Sequence, residues 1–124
     1  MSRRALVVED NEANQLLVAS LLEREGFLVD VVSSADEAGL LLGATPPDLI
    51  LMDIQLPGED GLSFTRRLRS EPATARIPIV ALTALAMSGD RERTLAAGCD
   101  GYISKPIDTR TFAREIGKYL TDPA

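Results

Sequence analysis

Three uninterrupted apolar runs constrain the fold of this chain more than any other feature. They cover residues 5–8, 49–52 and 79–82, and polar and apolar side chains do not alternate within them. Alternation marks a strand with one solvated face, so unbroken runs indicate strands that are covered on both faces. The runs therefore predict central parallel strands with helices on either side.

Segments of helical period lie between these runs. Residues 11–25 form a first helical pattern that ends at Gly26, and Ser34 with Glu37 makes a capping box that opens a second helix. Three further helical segments follow, after Gly61, over residues 87–97 and from Asp108 onward. With one strand before each of these five helical segments, strand and helix alternate five times. This alternation predicts an α/β fold with a doubly wound five-stranded parallel sheet, and the flavodoxin-like strand order 2-1-3-4-5 is the commoner of two possible orders.

The last helical segment has the clearest amphipathic stripe in the chain. Asp108 is predicted to be its N-cap, and the apolar stripe consists of Phe112, Ile116, Tyr119 and Leu120. Only four residues follow this stripe, so we expect a single domain over residues 1–124 without an output domain.

The composition of the chain excludes several classes of function. The net charge of −6 argues against direct binding to nucleic acid or to an anionic membrane surface, because both require clustered Lys and Arg. No apolar stretch is long enough to span a bilayer and no signal peptide follows Met1, which predicts a soluble, cytoplasmic protein. The chain has no histidine, which excludes imidazole-based triads, and Cys99 is the only cysteine, which excludes an intramolecular disulfide.

Acidic, hydroxyl and basic residues follow the strands directly. Glu9 and Asp10 come after the first run, Asp53 after the second and Thr83 after the third, and Lys105 follows a fourth strand-like segment. The carboxyl ends of parallel strands share one edge of the sheet, so we expect these side chains to lie close together. Three converging carboxylates repel one another unless a cation is present, and hard oxygen ligands suit Mg²⁺. A carboxylate can also act as a nucleophile toward phosphorus.

Each of these residues has a simpler explanation when it is considered alone. Asp10 and Thr83 could be helix N-caps, Glu9 a solvated loop acid and Lys105 an ordinary surface lysine. The joint arrangement at four strand ends is far more specific than any one member, and it favours a site for a divalent cation and a phosphoryl group.

Longer segments around these residues resemble the receiver domains of response regulators, the CheY-like family. The resemblance covers essentially the whole chain, and the segments that carry it are residues 8–11, 52–61, 81–84 and 98–106. It implies that Asp53 accepts a phosphoryl group and that Asp10 binds Mg²⁺ directly, with Mn²⁺ as a possible substitute. It further implies that Glu9 binds the metal through water and that Gln55 offers its backbone carbonyl. Glu9 stands where this family most often has aspartate.

The resemblance also implies a signalling mechanism. Thr83 and Lys105 would contact the phosphoryl group, and a cis peptide would join Lys105 to Pro106. Thr83 and Tyr102 would form a switch that reshapes the face made by helix four, strand five and helix five, where a downstream protein binds. The chain would catalyse its own phosphorylation and dephosphorylation while acting primarily as a switch. It would work as a monomer or as a dimer that forms on phosphorylation.

The expected phosphoryl donor is the phosphohistidine of a sensor histidine kinase or of a histidine phosphotransfer protein. Asn14, Val18 and Pro106 are the candidate contacts with that donor. Gln55 and Leu85 lie where receivers tune dephosphorylation, and the apolar Leu85 predicts a phosphoryl group that lasts longer than in the fastest receivers.

Several other functions were compared with this one. A flavodoxin-like nucleotide binder would need a glycine-rich phosphate loop in place of Glu9 and Asp10. A phosphatase of the haloacid dehalogenase type would need a second aspartate where Gln55 stands. A binding module that acts independently of phosphorylation and a receiver excised from a hybrid histidine kinase both remain open. Residues 11–15 resemble hybrid-kinase receivers as well as stand-alone cell-division regulators.

Overall fold

The computed structural model describes residues 3–44, 46–84 and 90–120. Within these residues, five strands alternate with five helices. In chain order they are β1 (Arg4–Val8), α1 (Glu12–Arg24), β2 (Leu28–Val32), α2 (Ala35–Ala44), β3 (Leu49–Asp53), α3 (Gly61–Ser70), β4 (Ile79–Thr83), α4 (Asp90–Ala96), β5 (Gly101–Ser104) and α5 (Phe112–Gly117). None of the described helices combines the length and the hydropathy that crossing a membrane requires.

The strands form one parallel sheet in the order β2-β1-β3-β4-β5. This order confirms the predicted α/β fold. All five residues of β3 and all five of β4 are buried, as the unbroken apolar runs indicated. Strand β2 lies at the edge and only its last residue, Val32, is buried, so its sequence carries Asp30 and lacks an apolar run.

Helices cover both faces of the sheet and create two cores. On one face, Val18, Leu21 and Leu22 of α1 pack with Phe112 and Ile116 of α5. On the other face, α2 and α3 pack against the alternate side chains of the same strands. Residues of β1 divide between the two cores by strand alternation, which is why the central strands are apolar throughout.

Helix α1 buries Val18, Leu21 and Leu22. Asn11 caps it, with Oδ1 accepting a hydrogen bond from the backbone N–H of Asn14 at 3.0 Å. Ala13 is exposed, whereas Val18 is 0% exposed and lies within the core. The prediction that Val18 contacts a phosphodonor is therefore wrong, because this side chain packs under the helix instead of facing solvent.

The starts of α2 and α5 also differ from the sequence patterns. Ser34 Oγ accepts from the backbone N–H of Glu37 at 3.2 Å, but Glu37 Oε1 accepts from Ser33, one residue before the expected position. Asp108 does not cap α5. It accepts a hydrogen bond from the backbone N–H of Arg110 at 2.9 Å in a preceding turn, and the helix begins at Phe112. The predicted start of the fourth helix at residue 87 lies outside the described residues.

Gly61 marks a close approach between α3 and the end of β3. Its backbone N–H donates to the carbonyl of Ile54 at 3.1 Å, and a Cβ atom at this position would lie 2.2 Å from the carbonyl oxygen of Asp53. The colliding atom belongs to the backbone, so it cannot move aside as the end of a flexible side chain would.

We therefore predict that Gly61→Ala lowers the free energy of unfolding by about 1–3 kcal/mol through overpacking. The matched control is Gly39→Ala in the middle of α2, where no atom lies within 4 Å of the added methyl group. That substitution should raise stability by up to about 1 kcal/mol, because alanine favours helix over glycine. Urea denaturation measures both, and stabilisation by both substitutions would contradict the close approach.

Candidate metal centre at the carboxyl edge of the sheet

Three carboxylates converge where β1 and β3 end. Strands β1 and β3 are hydrogen-bonded neighbours, and Val8 pairs with Met52, so Glu9 and Asp53 follow at the same level. Glu9, Asp10 and Asp53 each offer an oxygen, and these oxygens lie within 4.8 Å of one another. The structure thus brings together three residues that the sequence places at two separate strand ends.

Glu9 is the most deeply buried member of this cluster. It is 0% exposed, and its backbone N–H donates to the carbonyl of Val32 at 3.0 Å. Its Oε2 accepts from the backbone N–H of Asn11 at 3.0 Å. Its Oε1 lies 2.7 Å from Lys105 Nζ, an ion pair, and has no hydrogen-bond partner among the described residues. Because it is buried, Glu9 is not a solvated loop acid. A buried carboxylate needs compensating charge, and Lys105 supplies it.

Asp53 and Lys105 form the second ion pair of the site. Asp53 is 4% exposed, Lys105 Nζ donates to its Oδ2 at 3.1 Å, and Oδ1 accepts from the backbone N–H of Gln55 at 2.9 Å. Burial alone lowers the pKa of Lys105, but its contacts with Glu9 and Asp53 outweigh burial and raise the pKa above its ordinary value. Lys105 is therefore a charged ammonium at neutral pH.

One ammonium cannot neutralise three carboxylates. Asp10 is exposed, and among the described residues nothing donates a hydrogen bond to its carboxylate, so it remains available as a ligand. Three hard oxygen donors and an excess of negative charge over the single Lys105 ammonium together fit a divalent cation such as Mg²⁺.

Thr83 and the segment after β5 complete the edge. Thr83 is buried at the end of β4, and its carbonyl accepts from the backbone N–H of Lys105 at 2.8 Å. The peptide between Lys105 and Pro106 is cis. In β5, Ser104 pairs with Thr83, and Tyr102 lies two residues before Ser104. Tyr102 is half-buried against the core on the α2 and α3 side of the sheet.

The remaining candidate residues lie around this site. Gln55 and Pro106 are exposed and Asn14 is half-buried, while Leu85 lies outside the described residues. Sequence reasoning missed Gln15, whose side-chain Nε2 donates to the carbonyl of Glu9 at 2.5 Å. Its place four residues after the N-cap Asn11 was the only available signal, and that spacing alone does not identify a contact with Glu9.

Comparison with known proteins agrees with this geometry. The family model of the response regulator receiver domain matches residues 5–116. The chain belongs to this family. It is 44% identical over 122 residues to the polar-differentiation response regulator DivK of Brucella ovis, covering 98% of this chain and 99% of that protein. The predicted receiver class is therefore confirmed.

Solved structures of receivers share the fold. The receiver domain of a sensor histidine kinase from Pseudomonas aeruginosa PAO1 has a magnesium ion coordinated in its active-site cleft, and it is 37% identical with a TM-score of 0.86, covering 96% of this chain and 98% of that one. The signal receiver domain of a histidine kinase from Syntrophus aciditrophicus is 30% identical with a TM-score of 0.87, covering 99% and 97%. This chain is thus a receiver domain of the two-component response regulator class, with an acidic cluster that fits magnesium.

The charge imbalance predicts a stability change on metal binding. Mg²⁺ at about 100 times its dissociation constant should stabilise the chain by about 2.7 kcal/mol, seen as a higher melting temperature. Asp10→Asn should lose most of this shift. Without metal it should melt above the wild type, because one source of repulsion is gone.

The control is Glu23→Gln at the far end of α1, which removes one negative charge away from the cluster. It should keep the full magnesium shift. Equal shifts in Asp10→Asn and Glu23→Gln would show that the ion acts through overall charge and not through this cluster.

Proposed function

We propose that Asp53 accepts a phosphoryl group from a phosphohistidine on a sensor histidine kinase or a histidine phosphotransfer protein, in a reaction that needs Mg²⁺. The observation that carries this proposal is that Asp53 has an oxygen within 4.8 Å of two further carboxylates and contacts the Lys105 ammonium. Phosphoryl transfer depends mainly on positioning and charge compensation, and this edge of the sheet provides both.

In the proposed reaction, an oxygen of Asp53 forms a bond to phosphorus while the bond between phosphorus and the donor imidazole breaks. The electron pair of that bond stays on the imidazole nitrogen, which takes up a proton. The Gln55 backbone N–H holds Oδ1 of Asp53, and Lys105 Nζ, at Oδ2, lies where it can balance charge on the phosphoryl oxygens.

The metal ligands we propose are Asp10, Asp53 and the backbone carbonyl of Gln55, with Glu9 acting through water. Bound Mg²⁺ would neutralise both the carboxylates and the incoming phosphoryl oxygens. Mn²⁺ is a possible substitute, because it also accepts hard oxygen ligands.

The surface that receives the donor would lie beside the site. Asn14 on α1 and Pro106 after β5 remain candidate contacts, and both are at least partly exposed. The likeness to the response regulator DivK of Brucella ovis, over 99% of that protein, supports a role as a response regulator. The regulator would act in the cytoplasm. The protein would act as a monomer, or as a dimer that forms on phosphorylation.

A downstream protein would bind the face made by α4, β5 and α5. Tyr102 and Tyr119 line a cavity of about 470 Å³ on this face, together with Ser104 and Thr111. Because Thr83 pairs with Ser104, a shift of Thr83 toward a phosphoryl group would change the packing beside Tyr102. Phosphorylation would then favour one of two packings that are both accessible beforehand.

This switch predicts a change at Tyr102. The chain has two tyrosines, so a Tyr119→Phe variant labelled with fluorotyrosine reports on Tyr102 alone. Addition of beryllofluoride with Mg²⁺, as a phosphoryl analogue, should move its ¹⁹F resonance. An unmoved resonance in a sample that has bound the analogue would remove Tyr102 from the switch and leave Asp53 as the acceptor.

The acceptor role itself predicts one covalent adduct. Incubation with Mg²⁺ and either acetyl phosphate or phosphoramidate, whose P–N bond mimics phosphohistidine, should add one phosphoryl group by intact mass. Asp53→Asn should form no adduct because it lacks the nucleophile. Asp10→Asn keeps the nucleophile and should react far more slowly.

The absence of any adduct in a wild-type chain that binds Mg²⁺ would disprove the acceptor role and favour the phosphorylation-independent binding module. An adduct that persists in Asp53→Asn would place the acceptor on another residue.

A further inference from the structure

Gln15 links Glu9, in the loop between β1 and α1, to the neighbouring loop between β2 and α2. Its Nε2 donates to the carbonyl of Glu9 at 2.5 Å and to Ser33 Oγ at 3.2 Å. Ser33 in turn donates its backbone N–H to Glu37 Oε1 at 2.9 Å. A chain of hydrogen bonds therefore runs from α2 through Gln15 to the peptide that joins Glu9 to Asp10.

That peptide determines the position of the exposed ligand. Nothing among the described residues donates a hydrogen bond to the Asp10 carboxylate, so its place depends on the backbone on either side. After Asp10, the chain is fixed because Asn11 caps α1 and donates its N–H to Glu9 Oε2. Before Asp10, the carbonyl of Glu9 is held by Gln15.

We propose that Gln15 is a positioning residue for the magnesium site. It holds the peptide between Glu9 and Asp10 so that both carboxylates stay within reach of Asp53. This inference rests on the proposed function, because it needs the cluster to bind Mg²⁺. Hydrogen bonds that orient metal ligands strongly affect affinity even though the residues that make them do not touch the metal.

The chemistry of a glutamine side chain suits this role. The amide NH₂ group has two N–H donors, and its two contacts are the Glu9 carbonyl and Ser33 Oγ. The amide is neutral, so it adds no positive charge that would compete with a cation. A lysine at this position could also donate to the carbonyl, but its charge would oppose Mg²⁺.

The test is the dissociation constant for Mg²⁺, measured by titration calorimetry at a temperature where every variant is folded. Gln15→Met removes the donor without changing charge, and Gln15→Glu keeps the shape but also lacks the donor. Both should bind Mg²⁺ about tenfold more weakly than the wild type. Gln15→Glu is informative because its added negative charge, acting alone, would tighten binding.

The matched control is Thr74→Val. Thr74 is buried beyond the far end of α3, and its Oγ1 donates to the carbonyl of Leu68 at 2.6 Å. This substitution also removes a side-chain hydrogen bond to a backbone carbonyl, but at the opposite edge of the sheet. It should lower stability and leave the magnesium dissociation constant unchanged.

A second readout separates positioning from a merely structural role. In Gln15→Met, the Mg²⁺ concentration that gives half-maximal phosphorylation by acetyl phosphate should rise about tenfold. The rate at saturating Mg²⁺ should stay near that of the wild type.

An unchanged dissociation constant in Gln15→Met, or tighter binding in Gln15→Glu, overturns the positioning role and leaves the proposed function intact. A wild-type chain that does not bind Mg²⁺ overturns both.

Discussion

The excess of negative charge at the carboxyl edge of the sheet is the constraint on which the site depends. Two unit charges about 4 Å apart repel by roughly 4 kcal/mol at an effective dielectric of about 20. Here one oxygen from each of three carboxylates lies within 4.8 Å of the others. Lys105 offsets part of this repulsion through its contacts with Glu9 and Asp53. A bound Mg²⁺ would relieve the rest, and its positive charge would in turn attract phosphoryl oxygens.

The sheet topology makes this concentration of charge possible. Asp53 and Lys105 are 52 positions apart in sequence, yet their side chains are in contact because β3 and β5 flank β4 and end at the same edge. The backbone N–H of Lys105 also donates to the carbonyl of Thr83. Lys105 is therefore tied to the proposed acceptor through its ammonium and to the end of β4 through its backbone, so the segment after β5 is connected to both.

Sequence reasoning worked where a local pattern reflects burial on both faces and failed where tertiary contacts decide. The unbroken runs identified β1, β3 and β4, because only side chains covered on both faces are uniformly apolar. The edge strand β2 has no such signal. The burial of Val18 and of Glu9 depends on α5 and on Lys105, which lie far away in sequence. Motif spacing located the cluster but could not show that Glu9 contacts Lys105 or that Gln15 holds its backbone.

Hydrogen bonds of Arg69 hold together the edge of the sheet that lies opposite the acidic cluster, where β4 and β5 begin. Arg69 at the end of α3 donates to the carbonyls of Gly98, Ala75 and Ile77 at 2.8, 3.1 and 2.7 Å, and it pairs with Asp100 at 2.8 Å. These bonds fix the turn after α4 and the start of β5 to α3. A rearrangement that began beside Thr83, as proposed above, would therefore meet an anchored turn at the far end of α4.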